Sequence, residues 1–262
     1  MTKPLRLDAE LVRRGFVASR SEARRAIEEG RVVVGGMPVT RPSTLVRGES
    51  SISLEGPSPP FVSRGGEKLD AALARFGVVV EGRRWLDAGA STGGFTDCLL
   101  QRGAAAVVAV DVGYGQLAWR LRSDDRVVVL ERTNVRHLTA GDLPWAPEGV
   151  TADLSFISLT LVLPALAGLV EDDADLVLLV KPQFEVGREA VSRGGVVRDP
   201  RLWLEAVTAI ARSADELGFG VADAMCSPLS GPAGNREFFL HSRRGVVTDE
   251  SVLARAVQEA VH

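Results

Sequence analysis

The sequence has 262 residues, enough for one large core or for one core with a small additional module. Apolar residues make up 45% and charged residues 25% of the chain, which is ordinary for a water-soluble globular protein. The longest uncharged run, residues 154–170, is short for a membrane span, and no apolar leader follows the first residues. The two cysteines predict no disulfide framework and the three scattered histidines predict no metal site, so we expect a cytoplasmic protein without a metal.

The formal net charge of −3 is unevenly distributed. Residues 1–61 carry ten Lys and Arg against seven Asp and Glu, a balance of +3. The remaining residues carry a balance of −6. A basic segment on an acidic protein predicts that the basic segment binds a polyanion.

Residues 1–56 have the pattern of a small α+β module. Apolar residues at helical spacing up to Val12 predict a first helix, and the capping-box pattern Ser19–Glu22 predicts the start of a second. The glycine pair Gly35–Gly36, between two valine-containing runs, predicts a β-hairpin, and residues 51–54 add a short strand.

Arginine dominates the basic residues of this module. A solvated surface with i,i+4 ion pairs would explain many of them, but the planar guanidinium also binds phosphate bidentately. We prefer the phosphate-binding interpretation because arginine so far outnumbers lysine here. Aromatic residues are scarce, which favours a folded RNA bound through its backbone and shape. The candidate RNA-binding residues are Arg6, Arg14, Arg20, Arg31 and Arg41.

Residues 57–62 are proline-rich and predict a semi-rigid linker. In residues 63–262, strand candidates alternate with helical stretches, which predicts an α/β fold with a doubly wound, mostly parallel, seven-stranded Rossmann-like sheet. The last two candidates are joined by a long turn and predict an antiparallel edge pair. The candidate strands are Arg84–Ala88, Ala106–Val110, Arg126–Glu131, Val150–Leu154, Leu176–Val180, Val221–Ala224 and Glu237–His241.

A glycine-rich turn follows the first of these strands and is typical of a nucleoside-cofactor site. The acidic residue Asp87 precedes the turn, and Asp111 ends the next strand, where it is placed to accept hydrogen bonds from ribose hydroxyls. Ser91 occupies the place of the second glycine of the dinucleotide fingerprint, so that fingerprint is not met. An amino-acid end and a ribose without pyrophosphate favour S-adenosylmethionine. The turn consists of Gly89, Ala90, Ser91, Thr92, Gly93, Gly94 and Phe95.

Polar residues follow at the strand ends where such a sheet binds ligands. Asp153 and Lys181 each follow a strand, and Glu237 begins the strand expected to be antiparallel. Lys68 lies at the start of the first helix after the linker. A single residue of this kind is usually a solvated rim residue, but four converging at one edge predict a site. Two lysines held close would favour loss of a proton from one, so Lys181 is the candidate base, with the others orienting the reacting groups.

The chain resembles two known families. The segments around Arg6–Gly15, Ser19–Ser21 and Gly30–Gly36 resemble the small RNA-binding domain named after ribosomal small-subunit protein four. The segments Leu86–Thr96 and Val180–Glu185, among others, resemble the TlyA family, which is similar to the RrmJ/FtsJ ribose methyltransferases. Further segments with this resemblance are Asp111–Leu117, Asp153–Leu159, Gly194–Pro200 and Gly234–Phe239.

The resemblance implies 2′-O-methylation of cytidine in 23S rRNA, and in 16S rRNA for members with a full N-terminal domain. It places the catalytic set Lys-Asp-Lys-Glu at Lys68, Asp153, Lys181 and Glu237. It further implies that Asp111, with Val112 beside it, and Asn134 hold the ribose and adenine of the cofactor and that Phe156 packs against it. The implied partner is ribosomal RNA, within ribosomal subunits, bound by a monomer.

Three alternatives are weighed against this prediction. The TlyA family has often carried a haemolysin label, and a lytic protein would need a secreted amphipathic or spanning segment. A ribosome-assembly factor could keep the fold and bind RNA without catalysis, although the retained polar set argues against this. A nicotinamide-dependent dehydrogenase is the most distant, since the dinucleotide fingerprint is not met.

Overall fold

The computed structural model describes residues 4–17, 19–56, 59–192 and 194–261. It divides into two compact units, Met1–Pro59 and Pro60–His262, called here the arm and the body. Pro57 and Ser58 of the predicted linker lie outside the described residues. Phe61 and Val62, at the other end of that segment, belong to the body. Phe61 is buried, and the backbone N–H of Val62 donates to the Asp97 carboxylate at 2.8 Å.

In the arm, two helices pack on short antiparallel strands. Ser19 caps the second helix by accepting a hydrogen bond from the Glu22 N–H at 3.2 Å, and the hairpin turns at the glycine pair, as predicted. The arm core contains Leu7, Leu11 and Ile27. The elements are β1 Leu5–Arg6, α1 Leu7–Arg13, α2 Arg20–Glu28, β2 Val32–Val34, β3 Met37–Pro38, β4 Leu45–Val46 and β5 Ile52–Leu54, with β1 paired to β4 and β2 between β3 and β5.

The body is built on a seven-stranded sheet, which confirms the predicted fold class. The spatial order of its strands is β11-β12-β10-β9-β6-β7-β8. Only β12 pairs antiparallel with its neighbours, and the other pairings are parallel. The strands are β6 Arg84–Ala88, β7 Ala106–Val110, β8 Val127–Leu130, β9 Gly149–Ala152, β10 Asp175–Val180, β11 Phe219–Cys226 and β12 Phe238–Arg244.

Helices cover both faces of this sheet. Successive strand residues point to opposite faces, so Leu86 packs with one core cluster and Trp85 with the other. The described helices are α3 Arg64–Phe76, α4 Gly94–Gln101, α5 Trp119–Arg122, α6 Leu163–Leu169, α7 Pro182–Glu185, α8 Pro200–Glu216 and α9 Glu250–Val261, with 3-10 turns at Val135–His137, Ala140–Asp142, Leu159–Leu161 and Arg188–Ala190. No helix in the described part of the chain is both long and apolar enough to cross a membrane.

The strand register brings the polar residues to one edge. Ala88 of β6 pairs with Ala152 of β9, and Ala152 pairs with Leu178 of β10. These strands are parallel, so the residues that follow them lie at the same edge of the sheet. Val180 pairs with Phe238 of the antiparallel β12, which places Glu237 beside Lys181 at that edge.

Candidate active site

The glycine-rich turn connects β6 to α4. Gly89 and Gly93 have φ of 88° and 96°, and Ser91 between them has φ of 49°, so three residues of the turn are left-handed. A Cβ on Gly89 would collide with the backbone oxygen of Asp153. Gly89 is therefore required for close packing against the end of β9, in addition to any approach of a ligand. Phe95 is buried and packs against Phe239, so only its backbone can contribute to the turn surface.

Asp87 lies behind the turn. Its carboxylate is fully buried and accepts hydrogen bonds from the hydroxyls of Thr96 at 2.7 Å and Thr151 at 3.4 Å. Burial raises the pKa of Asp87 to about 7, the hydroxyl of Thr96 opposes that rise, and the negative charge of Asp153 adds to it. This placement differs from the predicted direct contact with a cofactor, since Asp87 ties the strand to α4 from inside.

Asp111 faces the turn from the end of β7. Its two oxygens accept hydrogen bonds from the backbone N–H groups of Ser91 at 2.8 Å and Gly113 at 2.7 Å. An ionised carboxylate has about four lone-pair sites, so the fixed Asp111 keeps acceptor positions for hydroxyl groups. A small cavity beside it is lined by Ala90, Ser91, Ala109, Asp111, Gly113, Gln116, Leu117, Val129 and Glu131.

The residues around this cavity fit the nucleoside part of S-adenosylmethionine. Leu117 and Val129 are apolar members of this lining, and the Asp111 carboxylate would supply acceptors for ribose hydroxyls. The start of α4 has no side-chain cap at Gly93 and carries the positive end of the helix dipole, which favours a polar or anionic group at the turn. The set therefore suits a cofactor with an amino-acid end and a ribose.

The other predicted cofactor residues lie on the surface. Val112 is exposed, and Asn134 is exposed with its side-chain oxygen accepting from the Arg136 N–H at 3.1 Å. Phe156 is 91% exposed and has a left-handed φ of 65°, which is unusual for a residue with an aromatic side chain. Its ring lies against that of Phe184, with centroids 5.1 Å apart.

The first lysine–carboxylate pair joins α3 to the start of β12. The Nζ of Lys68 donates to Glu237 Oε2 at 2.5 Å, and the side chains are 9% and 1% exposed. A Cβ on Gly231 would lie 2.5 Å from Glu237 Oε1, so the turn before β12 packs directly on this carboxylate. Removing one partner of a buried ion pair costs roughly 3–5 kcal/mol, because the other charge is left uncompensated. The pair therefore fixes Lys68 at the sheet edge.

The second pair joins the ends of β9 and β10. The Nζ of Lys181 lies 2.5 Å from Asp153 Oδ1 and donates to the Ser155 hydroxyl at 3.0 Å. Lys181 and Asp153 are partly exposed, so the amine is held in a defined position while its surface can still meet a substrate. Asp153 in turn donates its backbone N–H to the Ala88 oxygen at 2.9 Å, which anchors it to β6 beside the glycine turn.

The short helix α7 clamps the loop that carries Asp153. Glu185 accepts hydrogen bonds from the Ser158 hydroxyl at 2.5 Å and the Leu159 N–H at 3.0 Å. Burial raises the pKa of Glu185, and these two donors oppose that rise. Together with the Phe156–Phe184 contact, the clamp aligns residues 153–159 with residues 181–185.

In the arm, the predicted RNA-binding arginines differ in their surroundings. Arg6 and Arg20 both bind the buried carboxylate of Asp8 and stay about half exposed. Arg14 donates to Glu10 and to the backbone oxygens of Arg47, Gly48 and Ser50, so it ties α1 to the turn at residues 47–50. This geometry favours a structural role for Arg14 over the predicted RNA contact.

Arg31 and Arg41 also differ in their contacts and exposure. Arg31 donates to the Glu55 backbone oxygen at 3.2 Å and lies 3.9 Å from the Glu29 carboxylate. Arg41 is exposed. Arg41 is thus better placed than Arg31 to reach a phosphate.

Residues that sequence reasoning did not single out hold these groups in place. These residues are Asp8, Ser155, Glu185 and Gly231. Asp8, Ser155 and Glu185 contact residues 12 to 26 positions away in the chain, whereas Gly231 packs on Glu237, which follows it in the same turn. A polar residue directly after a predicted strand was the only signal, and it pointed to Ser155 alone. Within the described ranges, no group of three or more His, Cys, Asp or Glu could hold a metal ion.

Comparison with known proteins agrees with this architecture. The FtsJ-like methyltransferase family model matches residues 61–244, and the S4 domain model matches residues 5–52. The chain is 53% identical over 263 aligned positions to the 16S/23S rRNA (cytidine-2′-O)-methyltransferase TlyA of Mycobacterium tuberculosis, covering 100% of this chain and 97% of that protein.

Two further relatives carry the haemolysin name. The chain is 38% identical to Hemolysin A of Brachyspira hyodysenteriae, covering 90% of this chain and 99% of that protein. A solved structure of a haemolysin-named protein from Streptococcus thermophilus superimposes with a TM-score of 0.77 at 38% identity, covering 100% of this chain and 98% of the other. One family thus carries both names, and its sequence similarity extends through both units. The chain belongs to the TlyA family of FtsJ-like methyltransferases and has an S4 domain in its arm.

Proposed function

We propose that this chain transfers the methyl group of S-adenosylmethionine to the 2′-hydroxyl of a cytidine in ribosomal RNA. The observation that carries the proposal is the pair of lysine–carboxylate contacts beside the glycine-rich turn, Lys68–Glu237 and Lys181–Asp153. They stand in a chain 53% identical to an enzyme with that activity in its name. The same relative's name supports 23S rRNA as one target and 16S rRNA as a second.

The cofactor, when bound, supplies a methyl group on a positively charged sulfur. The turn Gly89–Phe95 and the Asp111 carboxylate would hold it, with Phe156 and Asn134 at the surface of the site. Asp87 supports the turn from behind. The protein must then orient the ribose hydroxyl in line with the methyl group and accept its proton.

Lys181 is the proposed base. It must be neutral when it accepts the proton of the 2′-hydroxyl, and Asp153, 2.5 Å away, stabilises the ammonium group that results. The Ser155 hydroxyl, 3.0 Å from Nζ, limits the directions that the amine can take. Lys68, which Glu237 holds at the same edge, supplies a fixed positive charge that can orient the hydroxyl oxygen.

The arm supplies the binding of the polyanion in this proposal. Half-exposed arginines on α1 and α2 suit the phosphates of a folded RNA. We further propose that the enzyme acts as a monomer, on ribosomal subunits, in the cytoplasm where these are assembled.

A methyl-transfer assay tests the proposal. The purified chain is incubated with methyl-labelled S-adenosylmethionine and with free 16S rRNA, free 23S rRNA or isolated subunits, and the nucleosides are analysed by mass spectrometry. We expect label in 2′-O-methylcytidine at a defined position. Absence of transfer to every one of these RNAs would contradict the proposal.

Two outcomes would support the alternatives. Salt-sensitive rRNA binding without transfer would favour the non-catalytic assembly factor. Leakage of dye from liposomes caused by the purified chain alone would favour the lytic function that the haemolysin name suggests. A deletion strain distinguishes the proposed enzyme from both alternatives. We expect the wild-type gene to restore rRNA methylation in this strain and the Lys181→Ala gene not to restore it.

A further inference from the structure

A buried carboxylate lies at the centre of the arginines of the arm. The side chain of Asp8 is 0% exposed, yet it is the second residue of α1 on a small domain. Arg6 donates to both of its oxygens at 3.1 Å, and Arg20 donates to Oδ2 at 2.9 Å. Arg24 lies 3.5 Å from the same oxygen, and the Ala9 N–H donates to Oδ1 at 2.9 Å. One carboxylate therefore contacts three guanidinium groups from two different elements.

The three arginines remain accessible. The side chains of Arg6, Arg20 and Arg24 are 43%, 55% and 55% exposed, and an open groove on α2 is lined by Arg20, Arg24, Arg25 and Glu28. The hydrogen bond from Arg6 holds the pKa of Asp8 well below its usual range, with Arg20 acting in the same direction against burial. Asp8 therefore stays ionised, and the four side chains carry a net charge of about +2 at neutral pH.

This arrangement has a consequence for binding. A guanidinium has about five N–H donors, and Arg20 and Arg24 each direct one of them to Asp8, so the remaining donors can bind an incoming anion. A long arginine side chain normally loses rotamer freedom when it binds. An arginine already held by a buried carboxylate has lost part of that freedom before the ligand arrives.

The neighbouring acid Glu10 shows that such contacts are not equivalent. Glu10 is also buried and binds Arg13 and Arg14. Arg14, however, directs its other donors into backbone oxygens of the arm and is only 20% exposed. Glu10 thus stabilises the fold through Arg14, and of these two arginine partners only Arg13 is exposed, at 55%. The three arginine partners of Asp8, in contrast, are all about half exposed.

We propose that Asp8 is a positioning residue that presents Arg6, Arg20 and Arg24 as a preorganised binding site for the backbone phosphates of RNA. The inference rests on the proposed function for the presence of an RNA substrate. It goes beyond that function because an acidic residue, which by charge alone repels RNA, is assigned a favourable role in binding it.

The test depends on the opposite effects that net charge and preorganisation predict for removal of the Asp8 carboxylate. Asp8→Asn and Glu49→Gln each remove one negative charge from the arm without changing side-chain size, and Glu49 is exposed on the turn at residues 47–50. The affinity of the full-length variants for an rRNA fragment bound by the wild-type chain is measured by fluorescence anisotropy at several salt concentrations. Charge alone makes both variants bind RNA more tightly. If Asp8 preorganises the arginines, Asp8→Asn loses this effect and binds RNA about tenfold more weakly than the wild type. Glu49→Gln then binds RNA as tightly as the wild type or more tightly.

Folding of the arm is checked in the same samples. Hydrogen exchange of the α1 and α2 amides shows whether Asp8→Asn keeps the arm folded. If it does not, Asp8→Glu replaces it, because this variant keeps the net charge and displaces the carboxylate by one methylene. Weaker RNA binding by Asp8→Glu at unchanged net charge, with protected α1 and α2 amides, supports the proposal.

The coupling between the residues gives a second readout. Arg20→Ala weakens binding in the wild-type background, and we expect a smaller loss in the Asp8→Asn background because Arg20 is no longer held. Equal losses in both backgrounds, or Asp8→Asn binding as tightly as Glu49→Gln with the arm folded, would overturn the inference and leave the proposed function standing. A wild-type chain without salt-dependent rRNA binding would overturn both.

Discussion

The arm and the body use the same interaction, an ion pair with a buried carboxylate, in opposite ways. In the arm, Asp8 is buried and its arginine partners stay about half exposed. In the body, Glu237 is buried and its partner Lys68 is buried with it. Both carboxylates are inside their units, but Asp8 leaves its positive partners at the surface, whereas Glu237 is paired with a buried lysine.

The difference agrees with what we propose that each unit binds. Phosphates of a large RNA are reached only by cations that extend into solvent, and those charges are screened by salt. A proton acceptor or an orienting charge must instead have a fixed position and a surrounding of low dielectric constant. Exposure of the positive partner therefore distinguishes the Asp8 cluster of the arm from the Lys68–Glu237 pair of the candidate catalytic site. The following variants test that distinction, beginning with the change that should affect the protein most.

Lys181→Ala removes the proposed base. General acid–base catalysis contributes about 100- to 10 000-fold, so we expect a loss of kcat in that range with little change in affinity for RNA. The measurement is single-turnover methyl transfer alongside RNA binding. Arg212→Ala, on the exposed surface of α8, is the control and should keep full activity. Unchanged kcat in Lys181→Ala would remove Lys181 from the mechanism.

Gly231→Ala tests the Lys68–Glu237 pair without substituting either of its two residues. The new Cβ would lie 2.5 Å from Glu237 Oε1 and must displace that carboxylate, and Lys68 with it. A misplacement of about 1 Å in a catalytic constellation can cost about 100-fold, so we expect kcat to fall by about 10- to 100-fold. Gly168→Ala is the matched control because its Cβ has open space on α6. Equal activity of the two variants would show that the Lys68–Glu237 geometry is not needed for the reaction.

Arg20→Ala and Arg14→Ala compare two arginines of the arm. Arg20 is half exposed, so its removal should weaken rRNA binding and reduce the slope of log affinity against log salt by about 1. Arg14 binds backbone oxygens within the arm, so its removal should lower the thermal stability of the arm and leave the salt slope nearly unchanged. A salt slope that falls equally in both variants would restore Arg14 to the RNA-binding surface.

Asp87→Asn tests whether the raised pKa of the buried Asp87 makes the stability of the body depend on pH. The pKa of Asp87 is raised by burial to about 7, so between about pH 4 and about pH 7 the folded state holds a proton that the unfolded state has released. The free energy of unfolding should therefore fall as pH rises through this window, by at most about 1.4 kcal/mol per pH unit from this group. Urea unfolding at a series of pH values should show this component in the wild type and not in Asp87→Asn. Identical pH dependence in the two proteins would show that folding does not raise the pKa of Asp87.

The sequence predicted the central strands of the body well because they are buried on both faces and consist of nearly continuous apolar runs. Arg84–Ala88 and Ala106–Val110 coincide with β6 and β7, and the antiparallel β12 starts one residue after the predicted position. The candidate strand 126–131 is shortened to Val127–Leu130, because its charged ends lie outside the sheet. The glycine turn was recognisable because positive φ favours glycine at two of its positions, Gly89 and Gly93.

The pairing of side chains could not be predicted from apolar runs or glycine positions. Lys68 and Glu237 are 169 residues apart, and nothing local to either residue identifies the other. The same holds for Glu185, whose acceptor role for Ser158 and Leu159 depends on how α7 lies against the loop after β9. Asp87 reads as a ligand-facing acid in the sequence, but its orientation on β6 turns it inward.

Local patterns in the amino-acid sequence were sufficient to predict the fold class, the glycine-rich turn and the edge of the sheet at which the polar residues gather, because apolar periodicity and backbone restrictions are local properties. Which charges are paired, which are buried and which remain at the surface became known from the folded chain alone, because burial and pairing depend on residues brought together from distant parts of the chain. Arg14 and Arg20 are the same residue type in the same domain, yet Arg14 binds backbone oxygens and Arg20 binds Asp8. The role of Asp8 likewise became visible only from the three arginines that surround it.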